Sequence, residues 1–129
     1  MNKFTAMVTQ IENIENLHLV SFEFGNQTIK MLSLELNELL EIESTAKLSV
    51  KSTNISIAKN FTGLISYANQ LHAKVITVNN GRLLSSIQLS VEGFRFESVV
   101  TLEASLDMGL SDGDEVLVLI KCSEISVCG

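Results

Sequence analysis

The chain has 129 residues, 46% hydrophobic and 19% charged, with no proline or tryptophan, a globular composition able to bury a core. Its 9 basic and 15 acidic residues give a formal charge of −6. The few Lys and Arg are scattered, which argues against nucleic acid as a partner, because that needs a clustered basic face. No run of about 18 apolar residues exists to span a membrane, and the N-terminus lacks a signal-peptide pattern, so a cytoplasmic location is expected.

The chain opens with Asn2-x-Phe4-x-Ala6-x-Val8, read as a first strand with partial alternation. The stretch NLHLVSFEF (16–24) predicts a second strand, Gly25-Asn26 a turn, and 28–31 a third strand. Leu32, Leu36, Leu39 and Leu40 fall on one face of a short helix. A fourth strand, AKLSV (46–50), ends at Lys51, and a short fifth strand starts a few residues later.

The same order then recurs. Asn69-x-Leu71-x-Ala73-x-Val75 repeats the opening pattern. Asn79-Asn80-Gly81 predicts a two-residue hairpin with positive φ angles. LLSSIQLSV (83–91), the Glu92-Gly93 turn and a strand over 95–100 follow, then a helix presenting Leu102, Leu106 and Leu110 on one face. After the turn Ser111-Asp112-Gly113-Asp114, the strand VLVLI (116–120) ends at Lys121, again with a short strand beyond it. The early blocks superimpose at an offset of 67 residues and the late ones at 70, with one length change in a turn, which is the mark of an internal duplication.

The expected units are 1–60 and 61–129. Five short strands with a helix between the third and fourth describe a small OB-type barrel. The fold class is therefore all-β with short helices: two tandem OB-like five-stranded barrels. A unit of about 60 residues buries too little surface to stand alone, so the units should pack together. VLVLI is apolar on both faces and should be buried on both. Its outer face meets either another chain in an oligomer or the first unit of its own chain.

Cys122 and Cys128 lack zinc-site spacing and read as free thiols. His18 and His72 have no Cys or acidic partner at ligand spacing, so no residue is expected to bind a metal cation directly. There is no nucleophile–base–acid order, glycine-rich phosphate loop or tuned carboxylate pair, and no enzyme is expected.

The stretch SYANQLHAKV (66–75), with TLEASLDMGLSDGDEVLVLIKCSEISV (101–127), resembles the molybdenum-pterin-binding-protein domain, also called the Mop or TOBE domain. The second unit is similar along nearly its whole length. The first keeps Asn2, Ala6, Val8 and Lys51-Ser52-Thr53, and the pair looks like a di-Mop molybdate-binding protein. The resemblance implies a barrel often completed by exchange of the opening strand between units. It also implies a homo-oligomer, a trimer forming a ring of six units. Molybdate or tungstate would be the ligand, for storage or homeostasis, held at unit–unit interfaces with no organic cofactor. Carried over residue by residue, the oxyanion donors are Lys51, Ser52, Thr53, Ser66, Thr101, Lys121 and Cys122. The family's arginine is replaced by Ala68 and its helix serine by Ala104. The best pocket would join Ser66 of one unit to Lys51, Ser52 and Thr53 of another, or to Lys121. The alternative is a structural or regulatory TOBE-type interaction module that no longer binds the anion tightly.

Overall fold

A computed structural model describes residues 1–34 and 40–128. Among the described residues ten strands form two five-stranded sheets, all neighbours antiparallel. The first half of the chain supplies β1 (Asn2–Ile14), β2 (Leu17–Phe24), β3 (Gln27–Ser33), β4 (Thr45–Val50) and β5 (Ser56–Ala58). The second supplies β6 (Asn69–Asn80), β7 (Leu84–Val91), β8 (Phe94–Thr101), β9 (Glu115–Ile120) and β10 (Ser126–Val127). Alternating burial explains the long strands: Asn2, Phe4, Ala6 and Val8 point inward on β1, and Asn69, Leu71, Ala73 and Val75 do so on β6.

The duplication is visible in backbone detail. β1 and β6 each carry a bulge after their repeated valine, between Val8 and Gln10 and between Val75 and Thr77. At both bulges the valine peptide is clasped by the turn that precedes the fourth strand. Val8 N donates to Ser44 O and Val8 O accepts from Glu43 N; Val75 N donates to Asp114 O and Val75 O accepts from Gly113 N. That turn needs a left-handed residue, which is Gly113 at φ 90° in one half and Glu43 at φ 71° in the other. The extra length of the second half falls after the third strand, where α1 (Leu102–Asp107) lies.

Exchange between halves takes place, but at the closing strand. The opening strands β1 and β6 stay in their own sheets, whereas β5 joins β9 and β10 joins β4. The resemblance pointed to the opening strand; here the short strands beyond Lys51 and Lys121 are the ones positioned to cross. The crossing also brings β5 of the first unit alongside VLVLI, whose outer-facing Leu117 stays half-exposed. Leu119 is buried within the one chain, its backbone flanked by Gln70 of β6 and Ser56 of β5.

Three smaller expectations change. The Asn79-Asn80-Gly81 stretch makes no two-residue turn: Asn80 pairs with Ser85, and Gly81 N bonds Leu84 O across a wider loop without positive φ. The helix Leu102–Asp107 buries Ser105, whose hydroxyl bonds Asn80 Oδ1, and leaves Leu106 60% exposed; of the three expected leucines Leu110, beyond the helix, is the one that enters the core. In the first half Leu32 belongs to β3 and Leu40 is buried, while Leu36 and Leu39 lie outside the described residues.

One hydrophobic core runs through both halves. At its centre Phe4 lies 5.1 Å from Phe24 and 5.1 Å from Phe96, and Phe24 lies 5.4 Å from Phe94. These rings come from both halves and gain edge and offset contacts beyond their buried area.

Candidate functional site

The repeated asparagines build two junctions. Asn2 accepts from Glu97 N at 2.7 Å and donates to Glu97 O at 2.9 Å. Asn69 does the same to Lys30, at 2.7 Å and 2.9 Å. Each side-chain amide thus acts as one more peptide paired to the other half's edge strand, β8 or β3. Such a cap satisfies groups that would otherwise invite another strand. Both asparagines thus reach across into the other half. A third clamp, with no twin, runs from Gln27 to the backbone of His72: Gln27 Nε2 donates to His72 O at 3.1 Å and His72 N to Gln27 Oε1 at 2.7 Å.

The 3-10 turns beyond the fourth strands sit beside these clamps. Ser52–Asn54 packs on β8 and Cys122–Glu124 on β3. The two turns also meet each other, Asn54 Nδ2 donating to Glu124 Oε2 at 2.8 Å. Lys51 and Lys121 stand at the entry of these turns, both exposed, and neither ammonium has an ion-pair partner among the described residues. Lys51 lines a small cleft of about 220 Å³ with Ser49 and Asn54 from its own half and Ser123, Glu124 and Ser126 from the other.

The first junction contains a carboxylate that the sequence reading passed over. Ser52 Oγ donates to Glu97 Oε1 at 2.9 Å, while Ser86 Oγ at 2.7 Å and Gln88 Nε2 at 3.3 Å donate to Glu97 Oε2. The hydroxyl bonds from Ser86 and then Ser52 hold the Glu97 carboxyl below the usual carboxylate range, against the opposing effect of burial. At the second junction the corresponding residue is Lys30. This contrast was available in the sequence, because Lys30 and Glu97 are as far apart as Asn2 and Asn69.

The other predicted donors stand apart. Thr53 is exposed next to Ser52. Thr101 caps α1, its hydroxyl accepting from Ala104 N at 3.1 Å, and it borders a separate cleft with Arg82 and Leu106. Ser66 is exposed on the segment between β5 and β6. Neither Thr101 nor Ser66 lines the Lys51 cleft. Cys122 is a half-buried free thiol in its turn. Among the described residues no group of His, Cys, Asp and Glu could hold a metal cation, and no helix is long and apolar enough to cross a membrane.

Comparison with known proteins agrees with this architecture. The TOBE domain family matches residues 65–127. The chain is 25% identical over 112 residues to the molybdenum import ATP-binding protein ModC of Brucella abortus (strain 2308), covering 86% of this chain but only 30% of that protein. Its fold matches a crystal structure of the cytoplasmic molybdate-binding protein ModG with molybdate bound, at a TM-score of 0.90 and 23% identity, over 98% of this chain and 94% of that one. Molybdenum-pterin-binding protein 3 of Clostridium pasteurianum is 30% identical over 64 residues, 49% of this chain and 94% of that protein. With nearly the whole of such a protein matched by half of this chain, the chain belongs to the molybdenum-pterin-binding (Mop) family of TOBE-domain proteins.

Proposed function

We propose that this chain is a cytoplasmic oxyanion-binding protein that takes molybdate or tungstate at the junctions between its two repeats, 1–60 and 61–129, and serves storage or homeostasis. The donors would come from Lys51, Ser52, Thr53, Ser66, Thr101, Lys121 and Cys122, with further copies in a trimer bringing the separated ones together. The observation that carries the reading is the position of Lys51 and Lys121. Each ammonium ends a fourth strand where the chain crosses to the other half, free of any ion pair among the described residues.

A tetrahedral dianion brings four acceptor oxygens and a large desolvation cost, so it needs several donors and a positive charge. A lysine offers three donors around a compact charge, which suits a small anion. Hydrogen bonds to a charged group contribute about 1.5–3 kcal/mol each, so a few of them suffice for micromolar affinity. The relatives' names support molybdate as the ligand, and one of them is described as cytoplasmic.

Calorimetric titration with molybdate, tungstate and sulfate tests the reading. Molybdate or tungstate should bind with sulfate much weaker, and Lys121→Ala should lose roughly 2–5 kcal/mol where the contact is desolvated. Saturating oxyanion that gives no heat and no thermal shift would leave the second reading, an interaction module. That reading is favoured by Ala68 in place of the family's arginine and by the engagement of Ser52 with Glu97.

A further inference from the structure

The two junctions are built on one backbone plan, each with a lysine before its turn (Lys51 or Lys121), but carry opposite charges at one position, Glu97 against Lys30. In the first, three neutral donors, Ser52 Oγ, Ser86 Oγ and Gln88 Nε2, converge on two oxygens that belong to the protein. Such a donor set is what a free oxyanion would require. In the second, Lys30 replaces Glu97 on the edge strand and Lys121 precedes the turn; Leu19, Ser21 and Cys122 occupy the places of Ser86, Gln88 and Ser52. We infer that Glu97 is a built-in anion that fills the Ser52 junction, which narrows the donor set proposed above by withholding Ser52 and reserves free oxyanion for the junction of Lys30 and Lys121.

The physical reason is competition for the same hydroxyl. An incoming dianion would have to take Ser52 Oγ from a carboxylate 2.9 Å away while sitting beside its negative charge. The carboxylate has no ion-pair partner among the described residues, and the Met1 ammonium, which also favours its charged form, acts on it only from beyond contact distance. On the other side Lys30 stands at the carboxylate's position, so its ammonium adds to the attraction of Lys121 where Glu97 opposes that of Lys51. The Asn69 clamp fixes the Lys30 backbone whatever ligand is present, because it engages only the peptide. The clamp on Glu97 likewise leaves the carboxylate free to bond elsewhere.

This inference assumes that the chain binds oxyanions, and its test is decided separately from that assumption. The full chain, Glu97→Gln, Glu97→Ala and Glu97→Gln/Ser52→Ala are titrated with sodium molybdate by calorimetry, with thermal melts to confirm folding. Removing the charge should open a further site, raising the molybdate bound per chain or tightening binding by at least about tenfold. Ser52→Ala in the Glu97→Gln background should abolish that gain. Lys30→Glu, which copies the closed junction onto the open one, should lose the binding shown by the unaltered chain. An unaltered chain that binds nothing would sink the proposed function alone, since a gain in Glu97→Gln would still reveal the closed site. A folded Glu97→Gln chain with no gain, or a gain that survives Ser52→Ala, overturns the role of Glu97. Should Glu97→Ala fail to fold, the nearly isosteric Glu97→Gln decides.

Discussion

The asparagine of each repeat reaches into the other half and finds a lysine in one case and a glutamate in the other, yet makes the same pair of bonds at the same lengths. It can do so because it reads the peptide of residue 30 or 97 and ignores the side chain. A clamp aimed at the backbone lets two copies of one unit diverge in charge without losing their docking geometry. Elsewhere the halves differ where side chains do the work. Phe4 at the centre corresponds to Leu71, and Ser98, whose hydroxyl bonds Ile55 O at 2.6 Å, corresponds to Met31. The frame was kept and its fillings changed.

The aromatic centre offers the sharpest way to break that parallel. Phe4→Ala removes a buried ring shared with Phe24 and Phe96, and should cost about 3–5 kcal/mol, more than Leu71→Ala. Denaturant unfolding should register it as one transition for both halves, because the core is continuous. An equal loss at Leu71, or separate transitions, would show that the rings do not join the halves.

The clamps come next. Asn69 is fully buried and Asn2 is 7% exposed. Asn69→Ala strands the Lys30 N–H and C=O and should cost about 2–4 kcal/mol, against about 1–2 kcal/mol for Asn2→Ala. Thermal melts of the two variants rank them, and a reversed order would mean that the more solvated clamp is the stronger.

The smallest effect is a pH dependence confined to one junction. The Glu97 carboxyl is held below its unfolded value by Ser86 and then Ser52. A group depressed on folding stabilises above its unfolded pKa, near 4.3 for glutamate, and that contribution fades as pH falls below it. Melting temperature should therefore drop on acidification below about pH 4, with a shallower slope in Glu97→Gln. Identical slopes would show that the Glu97 bonds add nothing to stability.

Much of the frame was legible because it depends on short-range signals. Alternating apolar residues marked β1 and β6, two-residue turns marked the second hairpins, and the two offsets marked the repeat. Glu92-Gly93, both at positive φ, is the kind of turn that composition announces. Asn80-Gly81 carried a similar signal and failed, since Ser85 and Ser105 both recruit the Asn80 side chain and a wider loop serves them. The candidate site was half legible. Lys51 and Lys121 could be placed at strand ends from the repeat, and Ser52 came with the family resemblance, but the Glu97 network joins residues 52, 86, 88 and 97. Ser86, Gln88 and Glu97 meet by pairing of β7 with β8, but no local pattern links them to Ser52, which only the crossing of halves brings in. The exchange of β5 and β10 was hidden for the same reason, since a strand of two or three residues looks the same whichever sheet it joins.

That exchange has a consequence for how the protein is made. β10 lends Ser126 and Val127 to β4, and Cys128 N bonds Lys47 O just beyond. The first-synthesised half therefore leaves the ribosome with one flank unfinished and stays so until the last of the ten strands emerges. A cut between the repeats would release two fragments each holding a piece of the other, so in this chain each half is completed only by its partner.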